Sequence, residues 1–126
     1  MSIKIILEKT YYKQAVSTMI ICVTTKDNGP EAKIDPHFGR CAYFMFVDTD
    51  SMQEHEFVKN PYAAESQGAG VKAAQYITDH GADVLISENP GPHATSVMET
   101  AGIKIVKYPE MSAMEAVQKF LGTNDL

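Results

Sequence analysis

Ser66-Gln67-Gly68-Ala69-Gly70-Val71-Lys72-Ala73-Ala74-Gln75-Tyr76-Ile77-Thr78-Asp79-His80-Gly81-Ala82-Asp83-Val84-Leu85-Ile86 spells out one helix followed at once by one strand. Ser66 offers an N-cap, and Gly68-Ala69-Gly70 falls in the first turn. Val71, Ala74, Ile77 and Thr78 then recur at helical spacing, which predicts a helix over 71–80. Gly81 supplies a left-handed residue where the helix must stop. The apolar triplet Val84-Leu85-Ile86 reads as a short strand buried on both faces. A helix delivering the chain into a buried strand is the repeating unit of an α/β sheet.

Upstream, Met19-Ile20-Ile21-Cys22-Val23-Thr24-Thr25 is β-branched and almost continuously apolar, as a central strand should be. Lys26-Asp27-Asn28-Gly29-Pro30 is dense in turn formers. Tyr43–Asp48 and His55–Val58 read as two further strands, joined by a turn at Asp50-Ser51 and ended by Asn60-Pro61. Downstream, Pro90-Gly91-Pro92 breaks the chain. A second helix covers about 94–101, closed by Gly102, and Ile103-Lys104-Ile105-Val106 forms another strand. Ser112 and Glu115 make a capping box for a third helix, with Ala113, Ala116, Val117 and Phe120 on one face and Gly122 at its end. The order β-β-β-α-β-α-β-α predicts a mixed five-stranded sheet whose first, fourth and fifth strands run parallel. The loop holding His37 and the Pro90–His93 loop then lie at the same end, where strand carboxyl ends meet helix N-termini.

The 126 residues suit one domain, and an apolar fraction of 44% supplies its core. Residues 1–18, with Tyr11-Tyr12 and no clear period, read as an extension or the product of an upstream start codon; the domain is expected over 19–126. The net charge of −5 argues against a nucleic-acid partner. The longest apolar runs are too short to cross a bilayer, and no signal-peptide pattern opens the chain, so a cytoplasmic location is expected. Two cysteines, Cys22 and Cys41, form neither a zinc-finger spacing nor a disulfide framework.

Chemistry concentrates in Asp35-Pro36-His37-Phe38-Gly39-Arg40-Cys41, just before the aromatic strand. An imidazole and a thiol four residues apart around a glycine turn can hold a soft transition metal or an iron–sulfur species. His37 is a candidate ligand, or else a loop histidine bonded to backbone. Cys41 is a second candidate, or a small buried thiol. His93 opens a helix and completes the candidate metal set if the two loops face each other, or else is a solvent-exposed helix-start residue. Cys22, mid-strand, reads as core; His55 and His80 read as a strand-surface and a helix-end residue. Arg40 either faces an anion or bridges to Asp35 or Asp48. Gly68, Gly70 and Gly91 put backbone N–H groups at helix starts, a ready anion site, or else serve close helix–sheet packing.

Read in order, these segments resemble the dinitrogenase iron–molybdenum cofactor biosynthesis family, the NifX and NafY type proteins and the C-terminal domain of NifB. The matching residues are Ile20–Val23, His37-Phe38-Gly39-Arg40 with Tyr43-Phe44, Val47-Asp48, Asn60-Pro61, Gly68-Ala69-Gly70-Val71, Gly81-Ala82-Asp83-Val84, Gly91-Pro92 and Ala101-Gly102-Ile103. They span about residues 19–107. The resemblance implies a ribonuclease-H-like fold, with His37 in the place of the family's histidine. It also implies transient binding of an iron–sulfur or iron–molybdenum cluster, with cluster donor and acceptor proteins as partners. Ser87-Glu88-Asn89-Pro90, before Gly91-Pro92, stands where glycines are common in the family.

A four-iron cluster usually takes four thiolates, and this chain has two cysteines, one of them read as core. One or two ligands per chain suit a non-enzymatic carrier that must release its cargo, acting as a monomer or weak homodimer. The alternative is a metal-free module binding phosphate or a nucleotide at the glycine turns. A nuclease fits less well, because two-metal chemistry needs clustered carboxylates and Met19–Thr25 has none.

Overall fold

The computed structural model describes residues 19–51 and 55–124; the expected extension, 1–18, lies outside them. Five strands form one sheet: β1 (Ile20–Thr25), β2 (Tyr43–Asp48), β3 (His55–Lys59), β4 (Val84–Ser87) and β5 (Lys104–Lys107). Three helices accompany them: α1 (Ala69–Asp79), α2 (Pro92–Thr100) and α3 (Ala113–Asn124). The sheet order is β3-β2-β1-β4-β5. β1 pairs antiparallel with β2 and parallel with β4; β4 pairs parallel with β5, and β2 antiparallel with β3. This is the mixed α/β sheet that the element order predicts, and it agrees with the ribonuclease-H-like fold that the family resemblance implies.

Side chains alternate across a strand, so β1 divides its residues between two cores. Cys22 joins Phe44, Phe46 and Leu85 beneath α1 and α2, where Ala73, Ala74, Ile77 and Met98 meet them. Ile21 and Val23 join Met45, Val47, Val84 and Ile86 against α3, which contributes Ala113, Ala116, Val117 and Phe120. Three layers result, with the sheet buried on both faces.

The helix that anchors the sequence reading begins two residues earlier than the pattern implies. Gly68 is its N-cap, and no side chain caps it; Ser66 does not. Its buried residues are Ala69, Ala73, Ala74 and Ile77, whereas Val71 is exposed. The small residues win the buried face because α1 packs close to the sheet, and Val71 is left at a rim. α2 also starts early, at Pro92, a residue suited to a first helical turn because it has no N–H to satisfy. The Ser112 cap of α3 is present, with the Glu115 N–H 3.5 Å from the Ser112 hydroxyl.

Ile77 is fully buried in the α1 core. Ile77→Ala is expected to lower unfolding stability by about 3 kcal/mol, within the range for emptying an aliphatic core site. Chemical denaturation checks this; a loss below about 1 kcal/mol would place α1 outside the cooperative core.

Candidate functional site

Two loops and two helix N-termini enclose a cleft of about 400 Å³ at the carboxyl ends of β1 and β4. The first loop carries His37 to Arg40; the second carries Asn89 to His93. A bridge between His37 and Asn89 fastens the loops backbone to backbone. Below them, the Thr24 hydroxyl lies 2.9 Å from both the Asp35 carbonyl and the Ser87 hydroxyl. The Asp35 N–H donates to the Thr24 carbonyl at 2.8 Å. The ends of two parallel strands thereby hold the base of the His37 loop.

Phe38 turns inward, fully buried against Phe44 at 6.1 Å between ring centres, and so forces its neighbours outward. His37 is 77% exposed at the side chain. Asp35 orients it: the His37 N–H donates to the Asp35 carboxylate at 2.9 Å, and Nδ1 lies 3.4 Å from the same oxygen. A carboxylate placed on one imidazole nitrogen leaves the other for a ligand.

Gly39 sets how closely the parts approach. A Cβ at this position would stand 2.6 Å from the Gly70 nitrogen, so the loop touches the first turn of α1 through backbone alone. A Cβ at Gly70 would in turn meet the Ala94 methyl at 3.5 Å, bringing the first turns of α1 and α2 together. Neither helix has a side-chain cap at its N-terminus. Their first-turn N–H groups, and the positive ends of both dipoles, are left to whatever enters the cleft. Pro92 contributes no N–H to this set.

The structure brings His37, Arg40, Gly68, Gly70, Gly91 and His93 to this one cleft. Cys41 does not join them. Its side chain is sealed in the core beside Cys22, with the Asn60 amide 3.7 Å from its sulfur. Burial, reinforced by the Asp35 charge, pushes the Cys41 thiol far above its ordinary range. Cys22 is raised too, by burial and then by Cys41. Among the described residues no group of three or more His, Cys, Asp or Glu side chains could hold a metal ion. The expected His37–Cys41–His93 set is therefore not assembled.

Arg40 also departs from the salt bridge considered for it. Its guanidinium donates to the backbone carbonyls of Ala63, Glu65 and Ser66, pinning the segment that leads into α1. An ion pair between Lys72 and Glu65 holds the same segment from the helix side. Arg40 thus brings its charge to the cleft while its hydrogen bonds serve the rim.

Asn60, a strand terminator by its sequence context, contributes more than that to the site. Buried, it donates through its amide to the carbonyls of Gly39 and Cys41 at 2.9 and 3.0 Å. Its own side-chain oxygen accepts from the Tyr62 N–H. The only signal in the sequence was the Asn-Pro pair, which marks a turn without showing what the amide reaches.

The family profile described as dinitrogenase iron-molybdenum cofactor matches residues 19–123. The chain belongs to this family. The apo form of the orange protein from Desulfovibrio gigas is similar in structure, with a TM-score of 0.79, 38% identity, and coverage of 83% of this chain and 88% of the other. A Thermotoga protein assigned to NifB superposes with a TM-score of 0.72 at 26% identity, over 82% of this chain and 88% of its own. An uncharacterized protein of Methanocaldococcus jannaschii is 33% identical over 91 residues, 71% of this chain and 77% of that protein.

Two outcomes are expected. A thiol reagent at neutral pH leaves both cysteines of the native protein unlabelled and modifies both in denaturant, because the raised thiols carry almost no thiolate until the pH is far higher; rapid native labelling of Cys41 would contradict its burial. Gly39→Ala loses about 1–3 kcal/mol of stability, as overpacking does, with the largest NMR shifts at Gly70 and Ala94. A neutral effect would mean that the close approach is not held in solution.

Proposed function

We propose that this protein binds and carries a polyanionic metallocluster of the iron–sulfur or iron–molybdenum type, and that it is not an enzyme. One observation carries the reading: the chain holds 16 acidic residues against 11 basic ones, yet the cleft is lined by Arg40, His37 and His93, with no carboxylate among the described residues that line it. Two uncapped helix N-termini open on the same space. Such N-termini favour anions through both their N–H groups and their dipoles. Family membership directs the choice of anion toward metalloclusters. So does the similar protein named for its colour and described in an apo form.

The roles divide by chemistry. Backbone N–H groups from the first turns of α1 and α2 hydrogen-bond the cluster's sulfide or oxo edges. His37, oriented by Asp35, is the one group here with a carboxylate-backed nitrogen suited to a metal. His93 and Arg40 add charge at the rim. With the thiols withdrawn into the core, the cargo gains no cysteine ligand, and a hold built from dipoles and one imidazole can be surrendered to an acceptor protein. Among the described residues, no helix is long and apolar enough to cross a membrane; action in the cytoplasm between donor and acceptor proteins, as a monomer or weak homodimer, belongs to the same proposal. The second reading, a phosphate or nucleotide module, draws on the same N–H groups and is separated by experiment.

Anaerobic reconstitution with iron, sulfide and molybdate, followed by metal analysis and visible spectroscopy, tests the assignment. The parent protein is expected to retain a coloured species. Asp35→Asn should weaken retention about tenfold, the lower end for loss of an outer-shell partner, and His37→Ala more. Retention unchanged in His37→Ala would remove the ligand role. Colourless protein that binds phosphate compounds at the same residues would replace the carrier with the second reading.

A further inference from the structure

A second cleft, of about 360 Å³, opens at the other end of the sheet. Ile20, Phe46, Asp48, His55, Glu56 and His80 line it. Strand register explains the grouping. Ile20 pairs with Asp48 and Phe46 with Glu56, and alternation places these four side chains on the sheet face covered by α1. His80, the C-cap of α1, completes the wall. It is the helix-end residue the sequence predicts, and its ring also stacks on Phe46 at 5.3 Å and 17°.

The polar groups here all point to one kind of guest. His80 Nδ1 lies 2.9 Å from the Tyr76 carbonyl. A carbonyl only accepts, so Nδ1 carries the proton and Nε2 of the neutral ring is an acceptor. Asp48 accepts the Asp50 N–H through one oxygen. Glu56 enters no ion pair among the described residues, and its charge is felt across the cleft at the Tyr76 phenol, which burial and then Tyr62 and Glu56 hold above its ordinary range. The carboxyl end of α1 adds the negative pole of its dipole. His55 borders the cleft but pairs with Val47, so its ring turns to the opposite face of the sheet, against Phe57. Among the described residues, no lysine or arginine lines the cleft.

We propose that this cleft docks an arginine side chain of a protein partner. The aliphatic stem lies over Ile20 and Phe46, as long basic side chains cover apolar surface while their heads stay polar. The guanidinium, with five donors and no acceptor, meets Asp48, Glu56 and His80 Nε2. A free amino acid would bring its own carboxylate against these acids, with no lysine or arginine among the described lining residues to receive it, so the side chain comes from a peptide. Because the first cleft opens at the opposite end of the sheet, a docked partner leaves its mouth clear.

The test is an NMR titration of the full-length protein with Nα-acetyl-arginine-N-methylamide, its citrulline counterpart and free arginine. The blocked arginine is expected to give saturable shifts centred on Phe46, Glu56 and His80, with Gly91 and His93 unmoved. Citrulline should give none, and free arginine should bind more weakly. Asp48→Asn with Glu56→Gln should weaken binding about tenfold, the scale of a lost charged hydrogen bond. Glu56→Gln alone, at an exposed position, should weaken it in the same direction. Shifts that are absent, that spread unsaturated over the acidic surface, or that appear equally with citrulline would overturn the proposal. Insensitivity to both variants would do the same, and free arginine binding as tightly would overturn the assignment to a peptide.

Discussion

The contact between Gly39 and Gly70 is the constraint on which the rest of the cleft depends. With the Gly70 nitrogen only 2.6 Å from where a Cβ would stand on Gly39, any side chain there would hold the His37 loop away from α1. The contact acts in two directions. Inward, it lets Phe38 reach the core and lets Asn60 take the carbonyls of Gly39 and Cys41. Outward, it brings an imidazole beside two helix starts that no side chain has capped. Unmet N–H groups are a cost to folding that most proteins relieve with a serine or aspartate cap. Here both helix starts instead open onto the 400 Å³ cleft.

Topology then separates charge along the sheet. β1, β4 and β5 run parallel, so the helices that follow β3 and β4 start at one end and finish at the other. Dipoles of the same sense add up: positive ends beside His37 and His93, a negative end beside Asp48 and Glu56. Side chains reinforce this pattern, since among the described residues no carboxylate lines the first cleft and no lysine or arginine lines the second. An acidic chain of net charge −5 thereby gathers cationic side chains and helix N-termini at one end and carboxylates at the other, a distinction invisible in its overall charge.

Sulfur is where composition misleads most. Cys41 follows the His37 motif closely enough to suggest a shared ligand set, yet backbone direction sends it the other way. Residues next to each other at the edge of a strand alternate between faces, and a buried Asn60 fixes which face Cys41 takes. Sealed from water, the thiol resists ionisation, and ionisation is what metal ligation requires.

By itself the sequence determined the element order, the two-sided burial of β1 and β4, and the meeting of two loops at one sheet end. Each follows from local periodicity, from turn residues such as Gly81, and from the rule that parallel strands share a ligand-binding end. His37, Gly68, Gly70, Gly91 and His93 were legible for the same reason: they occupy helix starts and a turn, features encoded within a few residues. Tertiary structure alone decided the fate of Cys41, the backbone partners of Arg40, the bracing by Asn60 and the stacking of His80 on Phe46. Those outcomes depend on residues between 19 and 34 positions apart in the chain. Only packing brings them into contact, and no local pattern records which of several equally polar or aromatic groups will be the neighbour.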